Sequence, residues 1–221
     1  MHIKRMTIPK TWPLPKKEKI YIVRGKGSHS LKLSLPLLVI FRDILKDVNN
    51  RKELKKILLK GEIMVNNEII KNENFSVGLF DRIYVKKYDK GFSLILDINR
   101  QLKIMEISKD KMQKKPFKVI GKRVLDNKKM QVNLYGGWNI LTNEKLNVGD
   151  SVLISLKDKK IVETLKFAKG SFALVISGKH MGEHGKIESV DNKVTLTIKN
   201  KKIMIPKENV FVIEENEFLY E

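Results

Sequence analysis

Hydrophobic and polar positions along this chain keep more than one rhythm. In residues 37–48 the apolar side chains Leu37, Ile40, Phe41, Ile44, Leu45 and Val48 return at helical spacing, with Arg42, Asp43, Lys46 and Asp47 on the other side. Leu54, Ile57 and Leu58 repeat the i, i+3, i+4 spacing and predict a second helix. Asn50 is placed to cap its start, with Glu53 three residues on, and Gly61 to stop it. Residues 63–65 read as a strand, Asn66-Asn67 as a tight turn and Ile69-Ile70 as the return. A second turn at 77–81 leads into a strand at 82–85. From Phe92 the period is two, which predicts strands at 94–98, 102–107, 117–125, 130–134, 152–156 and 160–165. Gly136-Gly137 and residues 147–150 supply turns between them.

After Lys169 the same period surrounds a glycine-rich loop. Phe172, Leu174 and Ile176 alternate before it and Ile187 follows it, with glycines at 170, 178, 182 and 185. Glycine lets a short loop double back between two strands. Val194, Leu196 and Ile198, then Ile203 and Ile205, then 210–213 give the remaining strands. Residues 1–35 follow neither period, and Pro9, Pro13 and Pro15 favour extended backbone. The pattern divides the chain into an extended arm (1–35), a small helical and hairpin domain (36–94), a central antiparallel β domain (95–165) and a C-terminal β domain (166–221).

Charge changes the picture most. The 221 residues hold 45 Lys or Arg against 25 Asp or Glu, a net +20. Such an excess is the footprint of a polyanion binder, with nucleic acid as the first partner and an anionic membrane as the rival. No apolar run is long enough to span a bilayer, and no apolar core follows the charged N-terminus as a secretory signal requires. Cysteine is absent, which excludes disulfides and cysteine-ligated zinc and fits a reducing compartment. The charge is uneven: residues 1–35 carry nine cations against one anion, whereas 166–221 carry nine against eight. The last stretch, 208–221, is acidic and is expected to lie away from a phosphate backbone.

On the second helix Arg51, Lys52, Lys55, Lys56 and Lys60 lie opposite the apolar stripe, and Arg51–Lys55 and Lys52–Lys56 are like-charged i,i+4 pairs. Such a ridge is either left in water or given a polyanion. In the arm, Lys4, Arg5, Lys10, Lys16 and Lys17 surround Trp12. Spaced cations neutralise phosphates and an indole offers a stacking face. A plain tail, or Trp12 tucked into a neighbouring core, is the other reading. Lys111, Lys114, Lys115, Lys118, Lys122, Arg123, Lys128 and Lys129 make the early central domain basic, which a solvated face explains equally well. Lys179, His180 and Lys186 ride on the glycine loop.

Several chemical motifs fail on inspection. Residues 24–28, Arg-Gly-Lys-Gly-Ser, are no phosphate loop, because Ile20 and Gly27 stand where Gly and Ser or Thr belong. His29 beside them is expected as a backbone or RNA contact. His180 and His184 are four apart, but the glycines around them argue against a helix and no third metal ligand is evident. Asp97, Asp126 and Asp150 are scattered and form no acid/base pair. No metal, cofactor or small-molecule substrate is expected.

Two short helices, a hairpin turn and a closing strand resemble the S-four RNA-binding domain. In that family the start of the second helix and the hairpin face RNA, which implies contacts at Asn50-Arg51 and at Val65-Asn66-Asn67. Asn67 replaces the usual Gly, and Asn accepts a left-handed conformation; Leu79-Phe80-Asp81 replaces the usual Gly-Asp. The glycine loop, with a complete G-x-x-x-G-x-x-G, resembles the KOW motif, which implies an SH3-like barrel. Trp12-Pro13-Leu14-Pro15, Ser34-Leu35-Pro36-Leu37, Gln131-Val132-Asn133-Leu134, Gly137, Asn139 and the run from Val175 to Ile187 extend the likeness. With this order of modules the chain resembles the archaeal and eukaryotic small-subunit ribosomal protein family S4e, whose basic leader is shortened here.

That resemblance implies an α+β multidomain protein: a small helical/hairpin RNA-binding domain, a central antiparallel β domain and a C-terminal SH3-like (KOW) β-barrel. It implies a structural constituent of the small ribosomal subunit in the cytoplasm, binding small-subunit ribosomal RNA beside neighbouring ribosomal proteins and catalysing nothing. The RNA contacts expected are Lys4, Arg5, Lys10, Trp12, Lys16, Lys17, Arg42, Asn50, Arg51, Lys52, Lys55, Lys56, Lys60, Asn66, Lys179, His180 and Lys186. Two other classes fit parts of the chain. An RNA-modifying enzyme with an S-four-like module, such as a pseudouridine synthase, needs a larger catalytic domain than 95–165 offers. A non-ribosomal RNA-binding or transcription/translation factor also uses KOW barrels.

Overall fold

The computed structural model describes residues 2–125, 130–198 and 201–215. The chain divides into two compact units, Met1–Lys115 and Pro116–Glu221. Antiparallel β-sheet dominates both, and among the described residues the α-helices are short and confined to the first.

In the first unit β1 (His2–Lys4) pairs with β2 (Tyr21–Val23). The arm expected to be extended is therefore folded back on itself. Ile8, Trp12 and Ile22 are all buried, so apolar contact anchors a segment that its prolines only bend. β3 (Ser34–Pro36) leads into five consecutive buried apolar residues, Leu37 to Phe41. They are buried all round rather than on one stripe. β-branched Val39, Ile40 and Ile44 are also among the weaker helix formers. α1 (Leu37–Val39) opens into a wider π-turn at Ile40–Ile44, where the Leu45 N–H bonds the Ile40 carbonyl at 2.9 Å. The amphipathic helix expected over 37–48 thus ends early, at Lys46, whose φ is 59°.

α2 (Arg51–Leu59) is the expected second helix, with Leu54 and Leu58 fully buried. Asn50 Oδ1 accepts the Glu53 N–H at 3.0 Å. Glu53 accepts in turn from the N–H of Asn49 at 2.8 Å, one residue before the usual capping-box partner. At the other end Gly61 has φ 69°, its N–H bonds the Leu58 carbonyl, and the Glu62 N–H reaches back to Ile57. These two bonds close a Schellman motif.

β4 (Ile63–Val65) and β5 (Glu68–Ile69) form the hairpin. β6 (Ser76–Gly78) pairs with β3. With β7 (Arg82–Val85), β8 (Lys90–Leu96) and β9 (Leu102–Ile107) the hairpin makes one sheet in the order β5-β4-β7-β8-β9. The boundary expected between 94 and 95 falls inside β8, which is paired with β7 on one side and β9 on the other. A strand bonded along both edges is sheet interior, not linker. Residues 95–107 therefore belong to the first unit, and α3 (Lys109–Met112) follows them.

β10 (Lys114–Val124) carries the chain into the second unit. With β11 (Met130–Leu134), β12 (Asn139–Thr142), β13 (Ser151–Ser155) and β14 (Ile161–Leu165) it forms a sheet in the order β12-β11-β10-β13-β14. Phe117, Val119, Val132, Leu134, Leu146, Val152 and Ile154 are its core. The period-two pattern misses β12, whose four residues hold only two apolar side chains. Asp126, Lys128 and Lys129 lie outside the described residues, as does the acidic tail beyond Glu215.

β15 (Phe172–Val175), β16 (His184–Val190), β17 (Lys193–Ile198), β18 (Lys201–Pro206) and β19 (Val210–Val212) form a second antiparallel sheet, ordered β18-β17-β16-β15-β19. Ala173, Val175, Ile187, Val194, Leu196, Ile205, Val210 and Val212 fill its core. The glycine loop doubles back as the sequence predicts, although its last glycine sits within β16. A Cβ on Gly185 would lie 2.2 Å from the Thr197 carbonyl oxygen, so only glycine admits β17 at this distance. Gly185→Ala is expected to cost about 1–3 kcal/mol by forcing the strands apart, read as a fall in thermal midpoint of about 2–4 °C per kcal/mol. Gly121→Ala, whose Cβ would meet only Asn133 Nδ2 at 3.8 Å, is the control expected to leave the midpoint unchanged.

Candidate nucleic-acid interface

α2 presents its cations as the helical period requires. Lys52, Lys55, Lys56 and Lys60 are exposed, opposite the buried Leu54 and Leu58. Among the described residues Lys52, Lys56 and Lys60 have no anionic partner. Arg51 is different: it pairs with Glu73, whose carboxylate is 9% exposed. Burial works against ionising Glu73. The Arg51 hydrogen bond and the charges of Arg51 and Lys55 outweigh it and hold the carboxyl below its ordinary range. Asn50 is occupied as the cap, and Arg42 folds onto Asp43 at 2.7 Å.

The hairpin turn hides a polar network that the sequence does not announce. Asn66 has φ 50° and Asn67 has φ 67°, the left-handed conformation expected of Asn67. Asn66, however, is buried. Its Nδ2 donates to Asp81 Oδ1 at 2.7 Å and its Oδ1 accepts the Arg82 N–H at 3.0 Å. The side chain expected on RNA is turned inward, because the turn needs it to reach Asp81. Asp81 itself is fully buried. It accepts the Gly78 N–H at 2.5 Å, pairs with Lys115, and meets His29 Nε2 at 3.3 Å. Burial opposes its ionisation, yet Lys115 and His29 prevail and hold the carboxyl well below the usual range. Burial pushes the Lys115 ammonium down, and Asp81 restores part of that loss. Arg82 is also buried, donating to the Lys114 carbonyl at 3.0 Å and to Ser93 Oγ at 2.8 Å. His29 and Lys115 are thus framework residues.

Two of the arm's expected contacts are corrected likewise. Trp12 is 3% exposed and its Nε1 donates to the Leu31 carbonyl at 3.0 Å, so no indole face is open for stacking. Arg5 is 2% exposed. Its Nε donates to the Pro15 carbonyl at 2.6 Å, and its guanidinium pairs with Glu18 at 3.0 Å. Lys4, Lys10 and Lys17 are exposed and Lys16 is half-buried. Lys19, which is not among the expected contacts, is exposed beside them.

In the second unit Lys179 is exposed and His180 half-buried, with His180 Nδ1 3.1 Å from Glu183. Lys186 pairs with Glu215 at 2.9 Å on the surface. Lys118 turns inward, donating to the Glu208 carbonyl at 2.6 Å, and burial lowers its ammonium to about 8. Asp150 closes a turn by accepting from the N–H groups of Asn147 and Phe167, both at 2.9 Å. Among the described residues no three His, Asp or Glu side chains gather as a metal site, and no helix is long and apolar enough to cross a membrane.

Exposed lysines thus stand on a helix, on a folded arm and on a β-loop. The chain belongs to ribosomal family S4e. The pattern of that family matches residues 88–161. Small ribosomal subunit protein eS4 of Methanosphaera stadtmanae is 35% identical over 208 residues, covering 94% of this chain and 86% of its own. The protein of that name in Methanothermobacter thermautotrophicus is 33% identical over 225 residues, covering 98% and 93%. The crystal structure of the 30S ribosomal protein S4e from Thermoplasma acidophilum aligns with TM-score 0.71 and 26% identity over 84% of this chain and 97% of that one.

Proposed function

We propose that this chain is a structural constituent of the small ribosomal subunit, binding and stabilising folded ribosomal RNA beside neighbouring ribosomal proteins and catalysing no reaction. Likeness to the eS4 proteins over nearly the whole chain carries this reading. On this reading the protein works on the ribosome, in the cytoplasm. The net charge of +20 and the exposed lysines support it. Lys4, Lys10, Lys16, Lys17, Lys52, Lys55, Lys56, Lys60, Lys179 and Lys186 are the proposed phosphate contacts, with Arg51 beside them. The folded arm, the S-four-like domain, the central sheet and an SH3-like KOW barrel built from β15–β19 act as linked modules. Each contact adds a modest, salt-sensitive amount, and linkage raises the effective concentration of the next. Recognition is mostly of shape and backbone, because the deep, narrow A-form major groove keeps side chains from the base edges within it.

The test is sedimentation. The tagged chain is expected to travel with small subunits through moderate salt. Recovery only in the unbound fraction overturns the ribosomal reading and favours a free RNA-binding factor. Any turnover on structured RNA overturns the non-catalytic part.

A further inference from the structure

Arg5 does more than stabilise the arm. Its backbone N–H bonds the Ile20 carbonyl at 2.8 Å, its Nε bonds the Pro15 carbonyl, and its guanidinium takes Glu18. One buried residue thereby closes the loop between β1 and β2. The closed loop leaves an open cleft of about 400 Å³ lined by Lys4, Met6, Lys16, Lys17, Lys19 and Ile20, with Glu18 on its wall. Two features make this surface unusual. Met6 and Ile20 are 61% and 74% exposed, two large apolar side chains on one shallow floor. The one carboxylate on the wall, Glu18, is paired with Arg5, so among the described residues no wall carboxylate is left to offset the four lysines that line the cleft.

A cleft lined by two apolar side chains and four lysines suits a particular chemistry. Phosphates alone need no apolar surface, and an acyl chain needs no set of four lysines. A nucleotide whose base has left its stack offers both an uncharged aromatic face and flanking phosphates. The Met thioether is polarisable and packs well against an aromatic ring. The volume lies near the small end of the range for ligand pockets, roughly 300–1,000 Å³.

We infer that this cleft receives one extruded nucleotide of the bound RNA, its base on Met6 and Ile20 and its neighbouring phosphates on Lys4, Lys16, Lys17 and Lys19. The inference rests on the RNA-binding reading and adds a base-contacting subsite to it. It assigns the arm a grip on unpaired RNA, distinct from the charge-only ridge of α2.

The chain has no cysteine, so Met6→Cys introduces a unique thiol on the cleft floor. The full-length variant is treated with iodoacetamide in the presence of purified small-subunit ribosomal RNA, polyphosphate or polyglutamate, with binding followed separately by gel shift. RNA is expected to slow alkylation about tenfold at saturation, as a stacked base covers the thiol. Polyphosphate is expected to leave the rate nearly unchanged. Ile20→Cys repeats the reading on a second floor position should Met6→Cys disturb the loop. Equal protection by polyphosphate overturns the inference in favour of a charge-only surface. Protection by polyglutamate but not RNA reassigns the cleft to an acidic protein partner. RNA that binds without protecting the thiol removes the cleft and leaves the general RNA reading intact. RNA that does not bind at all removes both.

Discussion

Asp81→Ala is expected to cost the protein about 3–5 kcal/mol, the scale for removing one member of a buried ion pair. Lys115 would be left buried beside an empty site. Asn66 Nδ2 and the Gly78 N–H would lose their acceptor, and His29 would lose its carboxylate. Urea unfolding at neutral pH measures the loss, and an unchanged midpoint would refute this account of the network. Asp81→Ala combined with Lys115→Met should recover part of the loss, because the stranded charge goes with its partner. The pH dependence has a definite sign. The folded carboxyl lies below its ordinary value, so the unfolded chain binds the proton more readily. The contribution of Asp81 is fully present above about pH 4 and fades as pH falls below it. The gap between wild type and Asp81→Ala should therefore narrow in acid.

This network also marks where sequence reasoning reaches its limit. The second helix is legible because its cap, stripe and stop are local: Asn50, Leu54, Leu58 and Gly61 each act within a turn or two. The hairpin is legible for the same reason. Lys115 is not, because its role depends on Asp81, 34 positions away in the chain. Before folding, a lysine inside a basic stretch looks like any solvated cation. Asn66 reads as a polar turn residue open to RNA, yet the left-handed turn directs its amide inward. Trp12 and Arg5 err in the same way: proline spacing fixes local extension but says nothing about where an extended segment docks. β8 shows a related failure. Its apolar residues run unbroken from Leu94 to Leu96, so the pattern alone cannot tell whether its partners lie before or after it. Gly185 is the counter-case, since a glycine inside a strand already signals a close backbone approach.

The charge ridge of α2 can be tested apart from the fold beneath it. Reversing Lys52, Lys55 and Lys56 to Glu is expected to weaken binding to small-subunit ribosomal RNA by ~100-fold or more near physiological salt, because three phosphates then face carboxylates instead of ammonium groups. The slope of log affinity on log salt should become shallower by about two to three. The two proteins should converge at high salt, where counterion release contributes least. Folding should be spared, because these side chains are exposed and the helix is held by Leu54, Leu58, its Asn50 cap and its Gly61 stop. Circular dichroism and the urea midpoint check that point. The wild-type ridge keeps Lys52, Lys56 and Lys60 in consecutive i,i+4 steps, each mildly repulsive by about 0.2–0.5 kcal/mol in an isolated helix. No anion of the described chain relieves those three. A helix can tolerate that repulsion, but the arrangement gains stability only when phosphates arrive, so affinity should respond far more than folding does. Unchanged affinity and unchanged salt slope would mean that water, not RNA, covers this face. The phosphate contacts would then fall to Lys179, Lys186 and the lysines of the arm.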